Sequence, residues 1–258
     1  MESYMNRISN TGIVPVVKIL EKEDAYPLAK ALLNGGIDVI EVTYRSEHAT
    51  SAIQTISEQL PDMLVGAGTV LSVEQAKEAV EAGAKFIITP GFNTKVVQWC
   101  LDHDVEVYPG VSTASEVEMA LSMGLTQLKF FPAESSGGAK KLKDLSAPYA
   151  NVHFMPTGGI NTKNMHDYLS LPNVEAIGGS FMLPNDLVVA KDWDGIEALS
   201  RSAIKSLLDF QLIHVGINTN SPEESKQVTD TLCSLFHFTQ YTNCLLYTSP
   251  SPRDTERS

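Results

Sequence analysis

The stretch LVGAGTVLSVEQAKEAVEAGAKFIITPG, from Leu64 to Gly91, contains one complete unit of strand, helix and strand. Short apolar runs stand at its two ends, and the segment between them has the periodicity of an amphipathic helix. Ser72 is placed to cap the start of this helix, and Gly83 is placed to end it. A crossover of this length suits two neighbouring parallel strands.

The same unit recurs through most of the chain, with strand starts roughly every 20 to 25 residues, which leaves room for one helix per crossover. Eight such units over about 200 residues predict an α/β fold, a closed (β/α)8 TIM barrel. An open doubly wound sheet is the alternative. The candidate strands begin near Val14, Val39, Leu64, Lys85, Val105, Gln127, Val152 and Val174.

Composition excludes several classes of function. The chain has 258 residues, with 19 basic against 31 acidic side chains and a net charge of -12, which disfavours nucleic acid and anionic lipid as partners. No apolar run is long enough to cross a membrane, and the first residues lack the pattern of a secretory signal. Three cysteines without CxxC spacing indicate neither a disulfide framework nor a zinc site. We therefore expect a cytoplasmic protein.

In a barrel of this kind, catalytic groups collect at the carboxyl ends of the strands. The seventh and eighth candidate strands end in glycine pairs flanked by hydroxyl groups: Thr157, Gly158 and Gly159 in one, and Gly178, Gly179 and Ser180 in the other. Glycines let backbone N–H groups approach an anion closely, and these two loops are the usual phosphate site of the architecture. Plain tight turns are the alternative.

Lys129, in the sixth candidate strand, is the strongest candidate for chemistry. On a strand it shares a face with Phe131, and both sides of a barrel wall are largely dry. A buried ammonium is costly unless it is paired, so loss of its proton is one outcome, and a neutral amine can form a Schiff base with a carbonyl compound. The alternative is a structural ion pair with Glu41.

The segment EVTYR in the second candidate strand contains a carboxylate and a guanidinium four residues apart. Glu41 could serve as a base while Arg45 grips a substrate carboxylate, or the two could simply pair with each other. Thr69, at the end of the third candidate strand, is either a ligand contact or a residue chosen for strand propensity. The sequence has no HExxH motif or His/carboxylate cluster, and His48, His103, His153 and His166 are expected to be surface or packing residues.

The segments EVTYR, VGAGTV, ITPGF, PGVST, LKFFPAE, PTGGI and IGGSF, in this order, resemble the family of 2-dehydro-3-deoxy-6-phosphogluconate (KDPG) and 4-hydroxy-2-oxoglutarate (KHG) aldolases. The resemblance covers roughly Gly12 to Phe210. It implies a trimeric (β/α)8 barrel that needs neither a metal nor another cofactor. The roles it implies are Lys129 as the Schiff-base lysine, Glu41 as general acid/base, Arg45 and Thr69 as holders of the substrate carboxylate, Pro90 and Phe131 as walls of the pyruvate pocket, and Gly158, Gly159, Gly179 and Ser180 as the phosphate cradle.

The expected function is therefore a class I aldolase, a lyase that cleaves KDPG to pyruvate and glyceraldehyde 3-phosphate and also KHG to pyruvate and glyoxylate. The partner is a small 2-oxo acid. Two alternatives remain open: an isomerase or synthase of a phosphorylated metabolite on the same scaffold, and a non-catalytic binder of a phosphorylated sugar acid.

The last fifty residues differ from the barrel. We expect the barrel to occupy residues 1–210 and residues 211–243 to form a truncated strand and helix, with the helix starting at Ser221. This fragment resembles the opening of a glyoxalase-like module, in which His214 would match a metal ligand. Residues 244–258 resemble a translated sequencing adapter, and we expect them to be a disordered, artefactual tail.

Overall fold

The computed structural model describes residues 4–208 and 221–236. Residues 4–208 contain nine strands, and every pair formed between neighbouring strands is parallel. The strands are β1 (Ile13–Val17), β2 (Val39–Thr43), β3 (Leu64–Gly68), β4 (Phe86–Ile88), β5 (Glu106–Tyr108), β6 (Gly110–Val111), β7 (Gln127–Phe130), β8 (His153–Pro156) and β9 (Ile177–Gly179).

Helices alternate with these strands, and short 3-10 turns follow β1 and β7 at 22–24 and 134–136. Among the described residues, none of the helices combines the length and apolar character needed to cross a bilayer. The helices are α1 (Tyr4–Thr11), α2 (Ala25–Asn34), α3 (Ala49–Gln59), α4 (Val73–Glu81), α5 (Thr94–Asp102), α6 (Ala114–Ser122), α7 (Gly138–Ser146), α8 (Met165–Leu169), α9 (Asn185–Ala190) and α10 (Trp193–Leu208).

The strands close into a barrel. β5 and β6 are separated by Pro109 alone and together act as one interrupted strand of the barrel. The nine strands described in residues 4–208 therefore build an eight-stranded barrel. β5 pairs with β4 and β6 pairs with β7, while β9 pairs with β1. The remaining gap is bridged by Phe154 with Val174 and by Thr157 with Gly178. The predicted (β/α)8 barrel is confirmed, and the open-sheet alternative is wrong.

Alternation along β2 shows how the barrel is filled. Ile40 and Val42 point outward into the large core between strands and helices, whereas Val39 points inward. The inward cluster around Val39 is apolar and is closed at the amino end of the barrel by Met5 and Ile8 of α1. The lower interior is filled mainly by these apolar side chains, and the predicted site residues lie toward the carboxyl ends of the strands.

Two glycines in β3 make room for inward side chains of the neighbouring strands. A Cβ atom on Gly66 would lie 2.0 Å from the ring of Phe86, and one on Gly68 would lie 2.0 Å from Oε1 of Glu41. All four residues are buried. The glycines of β3 therefore have a packing role, since any side chain there would displace an aromatic ring or a carboxylate.

The predicted ends of α4 are confirmed. Ser72 Oγ accepts a hydrogen bond from the backbone N–H of Gln75 at 3.3 Å, which is an N-cap. Two residues after Glu81 the chain turns at Gly83, whose φ of +105° lies in the region that favours glycine.

Two compact units divide the chain, residues 1–210 and residues 211–258. In the second, α11 (Pro222–Phe236) begins where the sequence predicts a helix, and Ser221 Oγ caps it by accepting from Glu224 N at 3.1 Å. The strand predicted before this helix, His214 and the tail 244–258 lie outside the described residues.

We expect Gly66→Ala to lower the free energy of unfolding by about 1 to 3 kcal/mol, because the new methyl group overpacks the Phe86 ring. Gly91→Ala is the matched control, since a Cβ there meets nothing within 4 Å. Urea unfolding of the three proteins measures the difference. Equal stability of the two variants would contradict this account of β3.

Candidate active site

The centre of the site is an ion pair across the barrel interior. Lys129 Nζ on β7 lies 3.1 Å from Oε1 and 3.4 Å from Oε2 of Glu41 on β2. Lys129 is only 4% exposed and Glu41 is fully buried. The ion pair expected from the structural alternative is therefore formed, and it places the candidate amine beside the candidate base.

Tight backbone packing fixes the position of Lys129. Its Cα partner on the neighbouring strand is Gly110, and a Cβ on Gly110 would lie 2.3 Å from the carbonyl oxygen of Pro90. The Gly110 N–H in turn donates to the buried hydroxyl of Thr89 at 3.4 Å. Pro90, a predicted pocket residue, is thus half-buried at the end of β4 beside the strand that pairs with β7.

Phe131 connects the lysine to the loop after β8. The Lys129 ammonium lies 5.4 Å from the centre of the Phe131 ring, a distance at which a cation is attracted to an aromatic face. A Cβ on Gly158 would lie 3.4 Å from the edge of the same ring. The predicted pocket wall therefore contacts the predicted phosphate turn.

Arg45 is anchored by a residue that the sequence reasoning left out of the site. Its Nε donates to the hydroxyl of Thr43 at 3.1 Å, and that hydroxyl donates to the Val17 carbonyl at 2.7 Å. The alternative of a Glu41 and Arg45 pair is wrong, because Glu41 pairs with Lys129. The alternation of a strand could have placed Thr43 in the site, because residues 41, 43 and 45 of EVTYR lie on one face.

Thr69 lies one residue beyond β3 and has a φ of +56°. This left-handed conformation is uncommon for any residue except glycine and is unfavourable for a β-branched one. Strand propensity therefore does not explain a threonine here. Backbone strain of this kind concentrates at functional sites.

The turn after β8 has the geometry of an anion cradle. Gly158 and Gly159 have φ values of +103° and +81°. Their carbonyl oxygens are occupied: that of Gly158 accepts from Glu134 N at 3.1 Å, and that of Gly159 accepts from the side-chain amides of Asn161 at 3.4 Å and Asn164 at 3.1 Å. The Gly159 N–H, in contrast, donates to no acceptor in the described part of the chain.

The end of β9 lies beside this turn through the bridge between Thr157 and Gly178. A Cβ on Gly178 would lie 2.2 Å from the Thr157 hydroxyl, so this glycine accommodates a buried neighbour. Gly179 is buried, while Ser180 is exposed at the rim, and its hydroxyl has no hydrogen-bond partner within residues 4–208 and 221–236. The two predicted glycine pairs are therefore adjacent, one in the turn after β8 and the other at the end of β9.

Metal-binding groups are not part of this arrangement. Across residues 4–208 and 221–236, no three His, Cys, Asp or Glu side chains are grouped so that they could hold a metal ion. His153, at the start of β8, lies 3.0 Å from Glu175 and belongs to the opposite end of the barrel.

The chain is a closed (β/α)8 barrel with a buried lysine and carboxylate at the carboxyl ends of its strands. This arrangement is typical of barrel enzymes that use a lysine in catalysis. The family model described as KDPG and KHG aldolase matches residues 4–199. The chain belongs to this family. The alternatives of an isomerase, a synthase or a non-catalytic binder find no support in that match.

Relatives of known name agree with the family. A 2-dehydro-3-deoxy-phosphogluconate aldolase from Treponema pallidum is 44% identical over 205 residues, which are 80% of this chain and 98% of the relative. A KHG/KDPG aldolase from Escherichia coli is 44% identical over 199 residues, which are 77% of this chain and 93% of the relative.

A solved structure resembles the fold closely. The KDPG aldolase from Legionella pneumophila, with pyruvate captured as a covalent carbinolamine intermediate, superposes with a TM-score of 0.76 at 39% identity. The match covers 79% of this chain and 99% of that protein.

We expect the buried pair to be strongly coupled. Glu41→Leu alone leaves an unpaired ammonium in a dry interior and should cost about 3 to 5 kcal/mol of stability, whereas adding Lys129→Met should restore part of the loss. Denaturant unfolding of the two single variants and the double variant measures the coupling. The exposed pair of Arg201 and Glu197, 2.9 Å apart, is the control and should couple by less than about 1 kcal/mol. Additive costs at the buried pair would contradict the expectation.

Proposed function

We propose that this protein is a class I aldolase that cleaves KDPG to pyruvate and glyceraldehyde 3-phosphate and also accepts KHG. The observation that carries the proposal is the position of the Lys129 amine, buried and 3.1 Å from a carboxylate that can take its proton. Proton transfer within this pair gives a neutral amine and a carboxylic acid, and the net charge of the pair is zero before and after the transfer.

The neutral amine of Lys129 adds to the C2 ketone of the 2-oxo acid and forms a carbinolamine. Glu41 returns its proton to the departing hydroxyl, water leaves, and a protonated imine forms. Glu41 is then ionised and removes the proton of the C4 hydroxyl, through one water molecule. The C3 to C4 bond breaks, its electron pair moves to the imine, and the aldehyde departs. Glu41 then protonates C3 of the enamine, and water releases pyruvate and the free lysine.

The carboxylate end of the substrate is assigned to Arg45 and Thr69. Arg45 presents a guanidinium at the rim while its Nε is fixed by Thr43, so its remaining N–H groups are held in a defined direction. Thr69 supplies a hydroxyl from the next strand end. Pro90 and Phe131 form the walls around the methyl and methylene carbons of the pyruvate portion.

The phosphate end is assigned to the turn after β8 and to the adjacent end of β9. Gly158 and Gly159 contribute backbone N–H groups, and the backbone of Gly179 and the hydroxyl of Ser180 complete the cradle, with Thr157 beneath it. The Gly158 carbonyl, which shares a peptide unit with the Gly159 N–H, accepts from the Glu134 N–H. The Gly159 N–H therefore points the opposite way and is left to face an anion.

The wider biological setting follows from the family resemblance. We propose a cytoplasmic homotrimer in which the barrel of each chain comprises residues 1–210. The enzyme acts on a small 2-oxo acid and needs no metal, nucleic acid or membrane partner. Residues 211–243 are proposed to be a separate appendage that takes no part in the aldol chemistry.

Pyruvate release, coupled to lactate dehydrogenase, tests the proposal with KDPG and with KHG as substrates. Lys129→Gln should abolish cleavage of both, because the imine can no longer form. Glu41→Gln should lower kcat by about 10² to 10⁴-fold, since it removes the acid and base. Lys85→Met is the matched control: this lysine is exposed at the start of β4, at the other end of the barrel, and the variant should keep full activity. Cleavage that survives Lys129→Gln would contradict the assignment.

A further inference from the structure

Glu134 and Tyr168 contact each other next to the proposed phosphate turn. The proposed reaction does not use this contact. Glu134 opens the 3-10 turn after β7, and the hydroxyl of Tyr168 on α8 donates to its Oε1. We propose that this hydrogen bond makes Glu134 a positioning residue for the turn at 158–159, and that it thereby sets the preference for phosphorylated over unphosphorylated 2-oxo acids. The inference rests on the proposed function and assigns a source to its substrate preference.

The backbone of Glu134 is tied to the turn. The N–H groups of Ala133 and Glu134 donate to the carbonyls of Thr157 at 2.8 Å and Gly158 at 3.1 Å. These bonds tie the loop after β7 to the turn after β8, beyond the ends of both strands. A shift of the 3-10 turn would therefore shift Gly158 with it.

The side chain of Glu134 also lies against the turn. A Cβ on Gly159 would lie 2.6 Å from Cγ and 2.8 Å from Cβ of Glu134. The stem of the glutamate thus occupies the space beside the glycine whose N–H is unpaired. The glutamate stem therefore packs against the turn where a side chain on residue 159 would project, and it supports the turn from that side.

Tyr168 is suited to hold that rotamer. Its side chain is only 1% exposed and packs in the main core, so its hydroxyl has little freedom to move. Burial, and then the hydrogen bond to Glu134, raises the pKa of Tyr168, which keeps the hydroxyl protonated as a donor at neutral pH. A hydrogen bond from a buried hydroxyl to a charged acceptor is stronger than a neutral one.

Gly158 and Gly159 contact different side chains, so the two ends of the substrate would be held by different parts of the loop. Gly158 contacts Phe131, whose ring lies beside Lys129, whereas Gly159 contacts Glu134, which lies farther along the same loop. Loosening Glu134 should therefore disturb the N–H groups offered to a phosphate while leaving the Lys129 end in place. A substrate without a phosphate should not sense the change.

Tyr168→Phe tests the inference because it removes only the hydroxyl. Binding is measured by calorimetry in a Lys129→Gln background, with KDPG and with 2-dehydro-3-deoxygluconate, which lacks only the phosphate. We expect the Kd for KDPG to rise about tenfold and the Kd for the unphosphorylated acid to stay unchanged. In the otherwise native enzyme, KM for KDPG should rise in parallel while kcat and the kcat/KM for KHG do not change.

Tyr149→Phe is the matched control, since Tyr149 makes the same kind of hydrogen bond to Glu118, at 2.9 Å, away from the strand ends. It should alter neither Kd. Glu134→Gln keeps the stem and an acceptor for Tyr168 and should bind KDPG like the parent, whereas Glu134→Ala should resemble Tyr168→Phe.

Two results would overturn the inference. One is an equal loss of affinity for both acids in Tyr168→Phe, which would mean a general structural role. The other is tighter binding of KDPG by Glu134→Gln, which would mean that the carboxylate acts by charge repulsion. Because calorimetry needs no turnover, it decides the inference even if the parent enzyme cleaves neither substrate, which would refute only the proposed function.

Discussion

The buried ion pair of Lys129 and Glu41 is the contact on which the rest of the site depends. Two charges in a dry interior are stable only when they satisfy each other, so the barrel must hold β2 and β7 in the register that keeps the two groups 3.1 Å apart. Gly68 leaves the space that the carboxylate fills, and Gly110 lets β6 pack against Pro90 beside the lysine. The glycines on neighbouring strands are therefore as necessary for forming the ion pair as the two charged residues are.

Around this pair the site divides into a buried floor and an exposed rim. The floor consists of buried polar groups such as Thr43 and Thr157, each hydrogen-bonded to a neighbouring backbone carbonyl. The rim offers groups that point to solvent, including the guanidinium of Arg45 and the hydroxyl of Ser180. A substrate that spans both would meet preorganised groups at its reacting carbons and accessible ones at its charged ends, which is the arrangement that favours catalysis by positioning.

Much of this could be read from the sequence because it is periodic. The eight barrel strands, the Ser72 cap and the burial of Lys129 follow from local patterns and hydrophobic alternation. The ion-pair partner of Glu41 could not be predicted from the sequence, because the choice between Arg45 and Lys129 depends on a contact between residues 88 positions apart. The packing role of Gly66 and the link between Tyr168 and Glu134 were missed for the same reason: they arise from neighbouring strands and loops whose approach distance no local pattern encodes.

The most direct test of the central claim is reductive trapping. The purified protein is treated with borohydride in the presence of pyruvate, digested and mapped by mass spectrometry. A covalent imine at the buried amine predicts a mass increase equal to one reduced pyruvate, confined to the peptide that contains Lys129. An unchanged mass, or a label on any other lysine, would contradict the account.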